Sequence, residues 1–197
     1  MRNHLYLCIV FAACMLGALP AAHADSVSLR GVVGVGGEVE LEDDSADLDT
    51  SLGFDLLFMH DLHRYFAVGG ALGALWWRGE DAPEDSDRNL LVTASLRPEG
   101  RVDVGRAQVF VGGAFGLTYS SIGEDEFFGG DIDPAFGYHL GVDFGARLRI
   151  GNGAGIEAGV GLVRHSVEHE IDTLIGSTSV DGTVTSVLLE LGGFFEM

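Results

Sequence analysis

The chain of 197 residues contains no lysine: all 11 of its basic residues are arginine, against 30 Asp and Glu, for a formal net charge of −19. With so little positive charge, no basic patch can form, and nucleic acid is excluded as a partner. Cysteine is nearly absent as well. The two that occur, Cys8 and Cys14, both fall in the first 24 residues, so the remainder can have neither a disulfide framework nor thiol chemistry. Proline occurs only 4 times. Long apolar runs are lacking beyond the N-terminal segment: no later stretch approaches the roughly 18 apolar residues of a membrane-crossing helix.

The N-terminal 24 residues have the layout of a secretory signal peptide. Arg2 gives the positive start, Leu5 to Leu19 the apolar stretch, and Ala22-His23-Ala24 a small-residue cleavage site before Asp25. The expected organisation is therefore a signal peptide over 1–24, cleaved after Ala24, and one domain over 25–197.

That domain combines a large acidic excess with a positive mean hydropathy of +0.26 and 30 Gly. Charge and apolar surface must then be segregated, and the sequence shows how. Apolar residues recur with a period of two, the signature of strands with two unlike faces. Eight such runs are predicted: Arg30–Leu41, Thr50–Met59, Tyr65–Trp77, Arg88–Asp103, Ala107–Tyr119, Ala135–Ile150, Ala154–Glu168 and Asp181–Met197. The sixth alternates most cleanly, with Phe136, Tyr138, Leu140, Val142, Phe144, Leu148 and Ile150 opposing His139, Gly141, Asp143, Gly145, Arg147 and Arg149. Pro98 is expected to mark a bulge or an early end in the fourth run.

The connections alternate in length. Those after the second, fourth and sixth runs are tight, at His60–Arg64, Val104–Arg106 and Gly151–Gly153. The others are longer and acidic, at Glu42–Asp49, Arg78–Asp87, Ser120–Pro134 and Glu170–Val180. Long strands with short turns at one end and long loops at the other are the asymmetry of a transmembrane barrel. A soluble up-and-down barrel would also alternate, but its outer face would be large and hydrated. Here the polar face is mostly Gly, Ala, Ser and isolated charges, which suits a narrow filled interior. Aromatics on the apolar face gather near the strand ends as an interface girdle: Trp76, Tyr119, Phe136 and Tyr138 toward the loop end, and Tyr65, Phe66 and Phe195 toward the turn end.

On these residues the domain resembles the small outer-membrane barrels of the OmpA/OmpX type. The resemblance covers Asp25–Met197 and implies an all-β, eight-stranded antiparallel up-and-down transmembrane barrel. The last run, Asp181–Met197, resembles the C-terminal strand that acts as the assembly signal in that family, with Phe195 and Met197 where an aromatic end is usual. It implies the outer-membrane assembly machinery as a partner, beside outer-membrane lipid and lipopolysaccharide.

The expected lumen network comprises Glu38, Asp55, Arg97, Arg101, Asp143, Arg147, Arg149, Glu157 and Glu190. In so narrow an interior these charges must pair, because an isolated buried charge costs several kcal/mol. The acidic clusters Asp43–Asp49, Glu80–Asp87 and Glu124–Glu126 with Asp131 and Asp133 suit solvated loops, with divalent cations as weak partners. No motif fixes a metal site or cofactor.

His165, Ser166 and Glu168 resemble the residue types of lipid A deacylase barrels. There the His and Ser lie two apart; here they are adjacent and point to opposite faces. A non-enzymatic structural or surface-interaction barrel is the leading expectation. A small-solute or ion channel is the alternative, and a lipid A-modifying enzyme ranks below both.

Overall fold

The computed structural model describes residues 25–41, 44–78, 89–121, 131–132, 134–173 and 176–197. Residues 1–24, expected from the sequence to be a signal peptide, and the acidic stretches 80–87 and 124–126, together with Asp133, lie outside the described residues.

Eight long strands form the wall: β1 (Ser26–Leu41), β3 (Ser51–His63), β4 (Phe66–Trp77), β5 (Asn89–Val104), β6 (Ala107–Ser121), β8 (Ala135–Gly151), β9 (Ala154–Thr173) and β10 (Gly176–Glu196). Each pairs antiparallel with its sequence neighbour, and β10 pairs with β1 from Ser26↔Glu196 to Leu41↔Gly182. The sheet therefore closes on itself, which removes the exposed edges that would otherwise invite aggregation. Two short strands lie outside the ring: β2 (Asp44–Asp47) pairs with β1, and β7 (Asp131–Ile132) with β9. Among the described residues no helix is long and apolar enough to cross a membrane.

At the turn end the hairpins are tight. Gly105 and Gly153 take φ of +67° and +77°, a region that favours glycine because it has no Cβ. The same end holds the closure of the ring. The Met197 amide donates to the Asp25 carbonyl at 2.9 Å, and the Asp25 amide to the Met59 carbonyl at 2.8 Å.

The apolar face predicted from alternation points outward. Phe136, Tyr138, Leu140, Val142 and Phe144 on β8, and Val187, Leu189, Leu191 and Phe195 on β10, are all exposed. Among the girdle residues, Tyr65, Phe66 and Phe195 are exposed toward the turn end, and Trp76, Phe136 and Tyr138 toward the loop end. Tyr119 is half-buried, its ring edge-on to Phe136 at 5.3 Å. Because Phe195 points out and Glu196 caps the rim, Phe195→Asp should impair folding far more than Glu196→Gln. Heat-modifiable mobility on semi-native gels reads the folded fraction; equal fractions would reject this assignment of faces.

Several boundaries differ from those expected. β1 begins at Ser26, four residues before the alternation becomes legible at Arg30. Pro98 neither ends nor bulges β5: the pairing with β4 runs through Val68↔Pro98 without a register shift. The segment 170–180 is largely strand, with β9 and β10 continuing as a paired ribbon to Thr173↔Gly176.

A second finding concerns β1. Its register against β10 shifts between Gly34 and Gly36, a β-bulge. An extra residue exchanges the two faces of every position beyond it. Val32 faces in before the bulge, Val39 faces in after it, and Glu38 and Glu40 are exposed. Glu38 is therefore not a lumen residue, contrary to the sequence reading.

Candidate functional site: a charge-filled lumen

The lumen has two unlike halves. Toward the loop end, β1, β4, β5 and β10 contribute an apolar wall of Val32, Val39, Leu75, Trp77, Leu91 and Val184, joined by Leu48. Leu48 follows β2 and is held by its amide, which donates to the Gly37 carbonyl at 3.0 Å. A Cβ on Gly37 would stand 2.7 Å from the Leu48 side chain, so the glycine makes room for it. On the facing wall, β6, β8 and β9 contribute Thr118, Ser120, His139, His165 and His169, all buried.

Below this lies the charged waist. Arg30, on β1, is 1% exposed. Its Nε donates to Glu157 Oε1 at 2.8 Å and its Nη2 to Glu157 Oε2 at 3.2 Å, a two-pronged contact that suits the planar guanidinium. Its Nη1 donates to Glu190 at 2.6 Å and reaches Asp143 at 3.4 Å. Arg147, on β8, continues the chain of pairs. Its Nε donates to Glu157 Oε2, which also accepts from Arg30, at 2.8 Å, and its Nη2 donates to Glu99 at 2.8 Å. Gln108 accepts from Arg147 Nη1 at 3.2 Å. Arg97 on β5 pairs with Asp143 and lies 3.7 Å from Glu99.

One apolar ring completes the waist. Phe110, 2% exposed, lies against two guanidinium groups, with Arg30 at 5.2 Å and Arg147 at 4.5 Å from its centroid. Glycines opposite the charged residues provide the space. Gly192 pairs with Arg30, and Gly112 and Gly161 flank Asp143. A Cβ on Gly145 would stand 2.5 Å from the Phe110 ring. An eight-stranded barrel has room for side chains and little else, and large residues are admitted here only where a neighbour is small.

The expected network residues thus divide. Arg97, Asp143, Arg147, Glu157 and Glu190 come together at the waist. Asp55 lines the cavity above it. Arg101 sits lower and pairs with Asp61 near the turn end. Arg149 is not in the buried network. It is half-buried at the turn-end rim, where its Nε donates to Glu196 at 2.8 Å and its Nη1 to Asp103 at 3.3 Å. It lies two residues beyond Arg147, about 7 Å further along the strand, which carries it out of the enclosed section.

Sequence reasoning missed Arg30, Glu99, Gln108 and Phe110. Arg30 was legible in principle, since it lies two positions from Val32 on the same face.

The waist separates two spaces. The cavity on its loop side, of about 90 Å³, is bordered by Arg30, Arg97, Asp55, His139 and His165. The opening on its turn side is bordered by Arg101, Gln108, Arg147 and Glu196.

Of the acidic loop clusters, Asp44 to Asp47 form β2, and Asp49 pairs with Arg78 at 3.0 Å. Among the described residues no group of three or more His, Cys, Asp or Glu side chains is placed to hold a metal ion.

No protein-family model matches the chain, and no curated protein matches it in sequence. Solved structures do match. Outer membrane protein OprG from Pseudomonas aeruginosa superposes with a TM-score of 0.58 at 13% identity, covering 89% of this chain and 97% of that one. Neisserial surface protein A superposes with a TM-score of 0.54 at 14% identity, covering 88% and 98%. The fold is that of the small eight-stranded outer-membrane β-barrels. As in the sequence reading, the barrel is all-β with eight antiparallel strands in a closed ring, and it accounts for nearly the whole length of both solved chains.

Proposed function

We propose that the protein is a non-enzymatic barrel of the outer membrane whose lumen is a structural plug and whose loop end is its working surface. The observation that supports this reading is the enclosed waist, where Arg30 and Arg147 both lie over the Phe110 ring and are tied to Glu99, Asp143, Glu157 and Glu190. A water-filled pore would leave such charges solvated. Here both stacked guanidiniums are at least 96% buried.

The exposed apolar band faces lipid, and the acidic loop end faces outward, toward lipopolysaccharide or a partner surface. The closing strand β10 is the element offered to the assembly machinery. Catalysis is disfavoured by geometry: Thr118, the hydroxyl that contacts imidazoles in the lumen, is 0% exposed, and Ser166 lies on the opposite face from His165.

Fractionation and surface proteolysis test this reading together. The mature chain should begin at Asp25, recover with outer membranes, and lose only loop-end segments to protease added outside intact cells. Recovery in the soluble periplasm, or retention of residues 1–24, contradicts it.

A further inference from the structure

The lumen holds a second cluster that the plug does not use. His139 on β8 and His165 on β9 are direct cross-strand partners, with ring centroids 5.5 Å apart. Both are 3% exposed. The Nδ1 atoms of both rings lie 3.1 Å from one oxygen, Thr118 Oγ on β6. A hydroxyl carries a single proton, so it can donate to only one of the two nitrogens; the other must donate to it. The three groups thus converge on a shared point, and both imidazoles line the 90 Å³ cavity.

A second observation concerns charge. With every group ionised, the cavity is bordered by two guanidiniums, Arg30 and Arg97, against three carboxylates, Asp55, Asp143 and Glu190. The excess around it is one negative charge, and the two imidazoles border the same cavity. Uncompensated charge in such a place is costly.

The geometry points to a site for one divalent transition-metal ion in the loop-side lumen, with His139 and His165 as its nitrogen donors. Two imidazoles select zinc, copper or nickel over calcium and magnesium, which prefer oxygen. The described carboxylates do not converge as ligands, so Thr118 Oγ and water complete the coordination, and the acids act as outer-shell charge. One such ion places positive charge where the cavity border has a negative excess.

The test is metal titration of the purified protein in detergent micelles. Zinc should bind at one ion per chain, and copper should give an electron paramagnetic resonance spectrum with coupling to two nitrogens. His139→Gln and His165→Gln should each weaken zinc about tenfold or more, while retaining heat-modifiable mobility. The double variant His60→Gln/His63→Gln removes exposed imidazoles at the turn end and should leave binding unchanged. The wild-type measurements need no buried substitution, so the proposal stands or falls even if a variant fails to fold. Absence of saturable binding, loss of binding in His60→Gln/His63→Gln, or displacement of zinc by excess calcium would overturn it.

Discussion

Arg30→Ala should lower the unfolding free energy by about 3–5 kcal/mol at the least. This guanidinium is 1% exposed and bonds Glu157 through two nitrogens and Glu190 through a third. Deleting it leaves those carboxylates, and Asp143 at 3.4 Å, facing one another with one fewer cation among them. It also removes one of the two cations stacked on Phe110. Arg164→Ala provides the contrast. Arg164 is an exposed cation 3.5 Å from an exposed Glu40, and solvent screens the pair, so its loss should stay within about 0.5 kcal/mol. Urea unfolding of both variants in lipid vesicles, followed by tryptophan fluorescence, measures the difference. Equal stabilities would mean that Arg30 is solvated and the waist is wet.

The second large effect is expected on β6, where two phenylalanines face opposite ways. Phe110 fills the waist at 2% exposed; Phe115, five residues on, faces outward at 49%. Phe110→Leu keeps the hydrophobicity but removes the ring that both guanidiniums face. Each desolvated cation–π contact contributes about 2 kcal/mol, and the poorer shape adds to this, so a loss of about 3–4 kcal/mol is expected. Phe115→Leu exchanges one apolar group for another against lipid, and should change stability by less than about 1 kcal/mol. The same unfolding assay compares them. Similar losses at both sites would show that Phe110 has no special place in the lumen.

Much of this fold was legible because a membrane wall imposes one rule at every strand: lipid on one side, lumen on the other. That rule gave the faces of β8, β9 and β10, and with them Asp143, Arg147, Glu157 and Glu190. It failed where the side chains were silent. The run Gly34-Val35-Gly36-Gly37 has almost nothing on either face, so a bulge there leaves no trace in the alternation, and Glu38 was assigned to the wrong side. It also failed beyond the apolar band. The pairing of β9 with β10 runs on past His169 to Thr173↔Gly176, where Glu170, Asp172, Ser177, Thr178 and Ser179 break the apolar alternation and the sequence reads as loop. Partners were harder still. Arg30 meets Glu157 and Asp143 across 127 and 113 residues of chain, through a lumen whose width no local pattern encodes. Glu99 was passed over although it lies between Arg97 and Arg101 on the face that the alternation turns inward.

The account rests on a lumen closed at its waist, and single-channel recording in planar bilayers tests that most directly. The folded wild-type protein should add no steady conductance above the bare membrane at either polarity. A stable, ion-selective conductance from the wild-type barrel, shifted in selectivity by Arg147→Ala, would show a water-filled path past Arg30 and Phe110 and would contradict the plug.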